Sequence, residues 1–154
     1  MKAVFQRVTE ASVTVEGKQI ASIGDGVLLL VGVCDGDTEQ EAALLAKKVA
    51  ELRVFCDAED KMNLSVLDIG GSVLAVSLFT WCANTARGRR PDFMHAAKPT
   101  VAQPLFDYFV FCLRQNGIAD VQTGQFGADM QVRLLNDGPV TILLDTDIWK
   151  RGSK

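Results

Sequence analysis

The sequence contains few of the residues on which side-chain catalysis and metal binding usually depend. Among its 154 residues there is one histidine, His95, so a serine or cysteine relay with a histidine base has a single possible centre. His95 has no suggestive neighbour, which favours a surface position. Paired histidines and Cys-x-x-Cys spacings do not occur, so no zinc or other metal site is predicted. The phosphate-binding motif Gly-x-x-x-x-Gly-Lys is also missing, and no cofactor is expected.

Long apolar runs and a basic charge balance are missing as well. No run of about twenty apolar residues exists, so no membrane span is expected, and polar residues interrupt the first seven positions too early for a secretory signal. The net charge of -3 argues against a protein that coats duplex nucleic acid through many basic residues. The four cysteines are far apart in the chain, which is typical of reduced thiols in a cytosolic protein, so a cytoplasmic location is expected.

What is present is the composition of a folded domain, with 48% hydrophobic and 23% charged residues, which excludes disorder for most of the chain. We expect one domain over residues 1–147 and a short, partly basic C-terminal tail at 148–154. Dense β-branched residues over 2–15 predict a long first strand, and 19–23 with 27–31 complete a three-stranded meander. The third strand is apolar on both faces, which favours a central position.

Two helices are predicted beside these strands. Thr38 and Glu41 form a capping box, and the apolar stripe that follows predicts an amphipathic helix with one packed face. A second helix is predicted over 100–116, with Thr100 at its start and Gly117 as the residue after its end. Its nearly continuous apolar surface indicates burial against a sheet or a partner.

Two short segments combine polar residues or a Gly-Pro pair with strand ends. Asn136–Thr141 lies between predicted strands at 129–135 and 142–144, and its Gly-Pro pair indicates a turn. Ser77–Thr80 ends another predicted strand. We expect the two segments to form a small pocket made largely of backbone. Such a pocket suits reactions on an already activated bond, such as an ester with a good leaving group, because positioning and backbone hydrogen bonds suffice there.

The arginines have competing interpretations. Arg7 lies on a strand face, where arginine usually points to solvent, whereas an inward arginine would hold a carbonyl or carboxylate; spacing alone favours solvent. Arg87, Arg89 and Arg90 form the densest basic run of the chain. Such a run is usually a solvated face, but its position directly after Thr80 favours contact with a phosphate.

Five segments, in order, resemble the D-aminoacyl-tRNA deacylase family, also called D-tyrosyl-tRNA deacylase, from Met1 to about Asp145. They are 6–8 with 11–15, 61–64, 88–91, 123–130 and 136–141. A single Gly-Pro pair would be weak evidence, whereas this many ordered segments is specific. The family's signature motifs are Ser-Gln-Phe-Thr and Asn-x-Gly-Pro-x-Thr. The resemblance implies an α/β (α+β) fold with antiparallel, barrel-like β-sheets and two main flanking helices.

The resemblance also implies an activity and an assembly. Family members hydrolyse the ester between a D-amino acid and the terminal adenosine of tRNA, and they remove glycine mischarged on tRNA-Ala. They are homodimers with active sites at the subunit interface. Gly138 and Pro139, joined by a cis bond, would enter the partner's pocket and hold the substrate α-amino group, so that an L side chain collides with backbone. Supporting roles would fall to five residues: Arg7, Gln6, Leu78, Asn136 and Thr141. The first of these, Arg7, would point inward and brace the Gly-Pro segment.

The remaining roles implied by the resemblance concern chemistry and nucleotide binding. The backbone N–H groups of Phe79 and Thr80 would stabilise the oxyanion, with Ser77 beside them. The Thr80 hydroxyl is a candidate nucleophile, but no sequence neighbour would deprotonate it, and activation of water by a ribose hydroxyl of the tRNA is preferred. The adenosine pocket would be lined by three residues for which core packing is an equally good explanation: Phe126, Ala128 and Met130.

Two positions depart from the family pattern. Leu78 replaces the glutamine of the first signature motif, which would remove about 0.5–1.5 kcal/mol if that glutamine makes one neutral hydrogen bond. Asp92 replaces the serine that commonly follows Arg-Arg-Pro, and it puts a negative charge near the expected phosphate path. Leu78 therefore leaves open a non-catalytic or impaired paralogue that binds tRNA or another nucleic acid. A further alternative is editing of another mischarged tRNA.

Overall fold

The computed structural model describes residues 1–151, which contain eight strands, three α-helices and one 3-10 helix. The strands are β1 (Lys2–Val15), β2 (Lys18–Ile23), β3 (Gly26–Gly32), β4 (Phe55–Cys56), β5 (Met62–Leu64), β6 (Ser72–Ser77), β7 (Val121–Thr123) and β8 (Gln131–Asp145). The α-helices are α1 (Glu39–Glu51), α2 (Pro99–Gln115) and α3 (Thr146–Arg151), and the 3-10 helix is Thr80–Cys82. The predicted long first strand is confirmed.

The main sheet is built around β1, which pairs with three other strands. On one edge, β3 lies antiparallel to residues 2–8 and β2 lies antiparallel to residues 11–15, while β8 follows the other edge along the whole strand. From β3 the sheet continues through β6 and β7 in parallel. The predicted meander is wrong, because β1 is long enough to hold β2 and β3 end to end. The central position of β3 is confirmed.

The sheet curls until its outer strands approach each other. The backbone N–H of Ser22 on β2 donates to the side-chain oxygen of Gln122 on β7 at 2.9 Å. The predicted α+β class, with a barrel-like sheet and two main helices, is confirmed. The parallel pairs β3–β6 and β6–β7 make the sheet mixed, whereas the prediction was an antiparallel one.

Side chains alternate between the two faces of the sheet, as the two-residue period of a strand requires. On β3, Leu29 packs in a large core with Leu45 of α1 and Phe109 of α2, whereas Leu28 packs in a smaller core inside the curl. The inner core also contains Val76 of β6. The helices therefore cover the outer face, and the inner face carries the apolar side chains nearest the candidate site.

Helix α1 begins at the predicted capping box. The Glu41 carboxylate accepts the backbone N–H of Thr38 at 2.6 Å, so the local sequence alone determines this start. Glu41 is nevertheless buried and forms an ion pair with Lys150 of α3. The predicted tail at 148–154 is therefore helical in its described part, and Trp149 packs against the main core. The rest of that segment lies outside the described residues.

Helix α2 begins one residue before the predicted start. Its N-cap is Lys98 and its first residue is Pro99, and no side chain caps it, so the expected role of Thr100 is wrong. Proline suits the first helical position because its fixed φ is helical and its missing N–H would be unpaired there. Gly117 follows the helix at φ +103, the conformation expected of the residue after a helix end.

The cysteines differ from the prediction of four reduced thiols. Cys34 and Cys82 form a disulfide with their Cα atoms 6.1 Å apart, while Cys56 and Cys112 are free. The bonded pair is 48 residues apart in the chain, so only the packing of the 3-10 helix beside the end of β3 brings the two sulfurs together. Spacing in the sequence carries no information about such a contact.

Candidate active site

A pocket of about 820 Å³ opens beside the end of β6. Its lining is mostly apolar and includes inner-core side chains such as Leu28 and Val76. Two of the predicted groups, from segments about fifty residues apart, meet in this pocket. They are Ser77, Leu78, Phe79 and Thr80 on one side and Phe126, Ala128 and Met130 on the other.

The first of these groups leaves the sheet earlier than predicted. The strand ends at Ser77, and the last backbone hydrogen bond to β3 is from the Leu78 N–H, which donates to the Val31 carbonyl at 2.9 Å. The chain then enters the 3-10 helix that begins at Thr80. A Cβ at Gly32 would lie 2.8 Å from the Trp81 Cβ, so only glycine lets this helix pack directly on β3.

The turn into the 3-10 helix leaves two neighbouring backbone donors unused. The helix bonds run from Cys82 and Ala83 back to the carbonyls of Phe79 and Thr80. Within residues 1–151, the N–H groups of Phe79 and Thr80 themselves donate no hydrogen bond. Unpaired donors at the edge of a pocket are suited to binding an oxyanion, because they need no rearrangement when the charge develops.

The pocket offers no carboxylate or imidazole base to the Thr80 hydroxyl. Among the described residues, none that lines the pocket is aspartate, glutamate or histidine. The Thr80 hydroxyl also has no hydrogen-bond partner within residues 1–151. His95 is exposed, as predicted, and it does not line the pocket. No carboxylate or imidazole of the described residues is therefore placed to accept a proton in this pocket.

Aromatic rings lie on both sides of the pocket, and the wall opposite Thr80 also carries a thioether. The Phe126 ring lies 6.5 Å from the Phe106 ring of α2, and Phe79 meets Phe93 edge to face at 4.9 Å. A Cβ at Gly124 would lie 2.5 Å from the Met130 sulfur, so the glycine makes room for that side chain. Phe93 is not among the predicted site residues, because nothing in the sequence of the basic loop that holds it indicates a contact with Phe79.

The Gly-Pro segment is a bulge within one strand, and the predicted turn between two strands is wrong. Asn136 and Thr141 both pair with β1, one on each side of Arg7, so four residues of β8 stand opposite a single residue of β1. The peptide bond between Gly138 and Pro139 is cis, and both residues are exposed. Because β8 keeps its direction on both sides, the bulge projects from the sheet.

The Asn136 side chain closes the base of this bulge. Its oxygen accepts the Val140 N–H at 2.7 Å, and its nitrogen donates to the Thr141 hydroxyl at 2.9 Å. The Gln6 amide nitrogen donates to the same hydroxyl at 3.3 Å. Three of the predicted supporting residues therefore lie together at the bulge.

Arg7 holds the bulge from inside the protein. It is 8% exposed, so the solvent-facing interpretation from spacing is wrong. Its Nε donates to the Asp137 carbonyl at 2.9 Å, and one terminal nitrogen donates to the Val54 carbonyl at 2.6 Å. The guanidinium thus ties the bulge to the segment before β4, and its planar fork is what allows two separate carbonyls to be held.

The bulge and the pocket of one chain are separate. Within residues 1–151, no residue of 136–141 lines the pocket. The carbonyls of Gly138 and Pro139 accept no hydrogen bond within the same residues. Apart from the arginines of the basic loop, the structure therefore divides the predicted site residues into two groups, one around the pocket and one around the bulge.

The predicted phosphate contacts lie in the loop over 83–98, between the 3-10 helix and α2. Arg87, Arg89 and Arg90 are exposed, do not line the pocket and form no ion pair with any residue that the structure describes. Asn84 and Asp92 join the two arms of this loop through backbone bonds of 2.7 and 2.9 Å. The arginines therefore project from a loop whose C-terminal arm forms part of the pocket rim.

Neither a membrane-spanning helix nor a cluster of metal ligands occurs in the part of the chain that the structure describes. No helix in 1–151 is long and apolar enough to cross a bilayer. Over the same range, histidine, cysteine, aspartate and glutamate side chains do not gather into a group of three that would hold a metal ion.

Comparison with known proteins agrees with the geometry. A family model described as D-Tyr-tRNA(Tyr) deacylase matches residues 4–145. The D-aminoacyl-tRNA deacylase of Roseiflexus castenholzii is 59% identical over 150 residues, covering 97% of this chain and 95% of the relative. That of Chloroflexus aurantiacus is 56% identical over 146 residues, covering 95% and 91%.

Two solved structures are similar over nearly the whole chain. One, titled c-Myc DNA Unwinding Element Binding Protein, is 43% identical with a TM-score of 0.89, covering 94% of this chain and 98% of that one. The other, titled as a probable eukaryotic D-amino acid tRNA deacylase, shares 17% identity with a TM-score of 0.79, covering 93% and 97%, and supports the fold alone. The chain therefore belongs to the D-Tyr-tRNA(Tyr) deacylase family of ester-bond hydrolases.

Proposed function

We propose that this chain hydrolyses the ester between a D-amino acid and the terminal adenosine of tRNA. The observation that carries the proposal is the pair of unused backbone donors at Phe79 and Thr80, at the edge of an apolar pocket. The relatives named D-aminoacyl-tRNA deacylase support it independently. An ester of a ribose hydroxyl is already an activated bond, so positioning and oxyanion stabilisation can supply much of the rate.

The substrate would lie with its adenine against Phe126, Ala128 and Met130 and its ester carbonyl at the two N–H groups. Because none of the described residues lining the pocket is acidic or a histidine, the free ribose hydroxyl of the adenosine would help to activate water. The N–H groups of Phe79 and Thr80 would then bind the oxyanion of the tetrahedral intermediate. Removal of one such donor typically lowers kcat by about 10²–10³-fold.

The selectivity for D-amino acids would come from a second copy of the chain. Gly138 and Pro139 are exposed, their carbonyls are unused within residues 1–151, and they lie outside the pocket of their own chain. Inserted into a partner's pocket, the two carbonyls would hold the substrate α-amino group and leave no space for an L side chain. Leu135 and Leu143, 56% and 64% exposed on the strand that carries the bulge, support an interface there.

This arrangement predicts a homodimer with two equivalent sites, since the same bulge and pocket occur on each subunit. Glycine has no side chain to collide with backbone, so glycyl-tRNA mischarged on tRNA-Ala would also be a substrate. Aminoacyl-tRNA is used in the cytoplasm, and we place the protein there. Arg87, Arg89 and Arg90 would contact tRNA phosphates beyond the terminal nucleotide.

Leu78 does not remove any part of this proposed machinery. Its side chain lines an apolar pocket, and its backbone N–H holds the segment to β3 whatever the side chain is. We therefore expect the present chain to be active. The alternative, an impaired or purely nucleic-acid-binding paralogue, predicts that Leu78→Gln raises the deacylation rate strongly.

The primary test compares D-tyrosyl-tRNA, L-tyrosyl-tRNA and glycyl-tRNA-Ala as substrates. We expect hydrolysis of the D-tyrosyl and glycyl esters and protection of the L-tyrosyl ester. Equal rates on both tyrosyl substrates, or no rate on either, would overturn the proposal.

A pair of variants at Phe79 isolates its backbone donor. Phe79 has φ -81 and ψ -19, which proline can adopt, and its N–H donates no bond within residues 1–151. Phe79→Ala removes the ring and keeps the N–H, whereas Phe79→Pro removes both. We expect Phe79→Pro to lower kcat by a further 10²-fold or so relative to Phe79→Ala. Equal kcat values for the two variants would exclude this donor from the oxyanion site.

A further inference from the structure

We propose that Lys98 binds the phosphate on the 5′ oxygen of the terminal adenosine, an inference that rests on the proposed function. Among the described residues that line the pocket, Lys98 is the one with a formal charge. The rest of the lining is apolar apart from the hydroxyls of Ser77 and Thr80. A nucleotide brings one negative charge to this pocket, and Lys98 is the group that matches it.

The backbone of Lys98 is rigid while its ammonium group is free. Its carbonyl accepts the N–H groups of Val101 at 2.9 Å and Ala102 at 2.8 Å, and the preceding residue, Ala97, donates to the Val33 carbonyl at 3.0 Å. The side chain is exposed and forms no ion pair within residues 1–151. The residue is therefore anchored at the pocket rim by its backbone, and no described residue neutralises its charge.

Helix stability does not account for lysine at this position. An N-cap residue normally accepts a hydrogen bond from the first turn, which lysine cannot do, and a positive charge is unfavourable at the positive end of a helix. No side chain caps α2, and its first turn contains no acidic residue. A residue that opposes the local preference of its helix is expected where another role selects it, and an anion bound beside it would remove the conflict.

The position of Lys98 along α2 agrees with the phosphate end of the nucleotide. Ala102, one turn further along the helix, lines the pocket, and Phe106, two turns along, contacts Phe126 of the adenine wall. The first two turns of α2 thus run from the rim to the adenine. The 5′-phosphate must lie towards the rim, because the rest of the tRNA continues from it.

The test uses two small esters that differ only in this phosphate. They are 3′-O-(D-tyrosyl)-adenosine and the same ester of adenosine 5′-monophosphate. We expect the wild-type protein to hydrolyse the phosphorylated ester with a KM about three- to tenfold lower at low salt, the range of one partly exposed charge contact. Lys98→Met should equalise the two KM values. Lys47→Met, at an exposed lysine of α1, is the matched control and should keep the preference.

Binding without turnover separates this inference from the function on which it rests. Calorimetry on adenosine and adenosine 5′-monophosphate should show tighter binding of the nucleotide, abolished by Lys98→Met and retained by Lys47→Met. Equal affinities of the wild type for adenosine and adenosine 5′-monophosphate would overturn the Lys98 assignment even if deacylation occurs. A preference for the nucleotide that survives Lys98→Met would overturn it as well. A preference that depends on Lys98, in a protein that hydrolyses neither ester, would support the phosphate contact and overturn the deacylase proposal.

Discussion

Replacement of Arg7 tests whether one buried side chain maintains the Gly-Pro bulge. Arg7→Met keeps most of the aliphatic stem but removes the donors to the Asp137 and Val54 carbonyls, which lie at 2.9 and 2.6 Å. A hydrogen bond from a charged donor contributes about 1.5–3 kcal/mol, so two give at most about 3–6. Asp137 is partly exposed, and water can replace the donor there. We therefore expect the free energy of unfolding to fall by about 3 kcal/mol.

A loss of that size leaves most domains folded, since native stabilities are about 5–15 kcal/mol. The functional effect should be local to the bulge, because Asn136 still closes its base and the pocket of the same chain contains no residue of 136–141. We expect Arg7→Met to reduce deacylation of D-tyrosyl-tRNA and its preference over L-tyrosyl-tRNA. Adenosine binding should be unchanged. The deacylation rate and the D-over-L preference of Arg7→Lys should lie between those of the wild type and Arg7→Met, since one ammonium group cannot reproduce the fork that holds two carbonyls.

Urea unfolding, single-turnover deacylation of both tyrosyl-tRNAs and adenosine calorimetry measure these quantities separately. Arg53→Met, at an exposed arginine beside Val54, is the matched control and should change unfolding by less than about 0.5 kcal/mol. If Arg7→Met destabilises the protein no more than this control, the guanidinium does not support the bulge. Selectivity that survives a fall of about 3 kcal/mol in the free energy of unfolding would likewise show that the bulge does not depend on the guanidinium.

Three further predictions concern stability. Burial raises the pKa of Glu41, but hydrogen bonds from Lys150 and Thr38 outweigh it and lower the pKa to about 2. Ionised Glu41 should therefore add about 2–3 kcal/mol to the free energy of unfolding above pH 4.5, and this contribution should be lost as the pH falls towards 2. Unchanged urea stability of a Glu41→Gln protein at pH 7 would contradict this. Reduction of the Cys34–Cys82 disulfide should lower the free energy of unfolding by up to about 4 kcal/mol, and thiol titration in urea should find two thiols before reduction and four after. Gly138→Ala should destabilise by about 1–2 kcal/mol in urea titrations, because φ is +134 and a Cβ would lie 2.9 Å from the Val140 side chain; equal stability would contradict the described bulge.

Binding to tRNA provides a prediction about the basic loop. Arg89→Ala with Arg90→Ala should weaken tRNA binding and flatten its dependence on salt, because fewer counterions are released. The Kd measured over a series of salt concentrations gives the slope. A slope equal to that of the wild type would exclude phosphate contacts by this pair.

Features set by neighbouring residues were predictable from the sequence. The start of α1 at Thr38 and the glycine after α2 depend on residues within one turn, so the motif and the structure coincide. The length of β1 follows from its dense β-branched residues. The start of α2 was missed by one residue, because Pro99 determined it through its backbone and no capping side chain marks it.

Features that depend on contacts between distant residues were not predictable in this way. Whether Arg7 faced solvent depended on four residues of β8 bulging opposite it, and whether cysteines were bonded depended on the 3-10 helix packing on β3. The resemblance to a family predicted that Arg7 points inward, whereas spacing alone favoured a position facing solvent. It supplied nothing about Phe93 or Lys98, whose positions at the pocket appear only in the folded chain.

By itself, the sequence determined the start of α1, the glycine after α2 and the shortage of side-chain bases, because each depends on composition or on residues within one turn. Only the tertiary structure decided that Ser77–Thr80 and Phe126–Met130 share one pocket while the Gly-Pro bulge faces elsewhere. The physical reason is register: the pairing of β1 with β8, and of β3 with β6, sets which distant backbone and side-chain groups meet, and no short segment encodes that pairing alone.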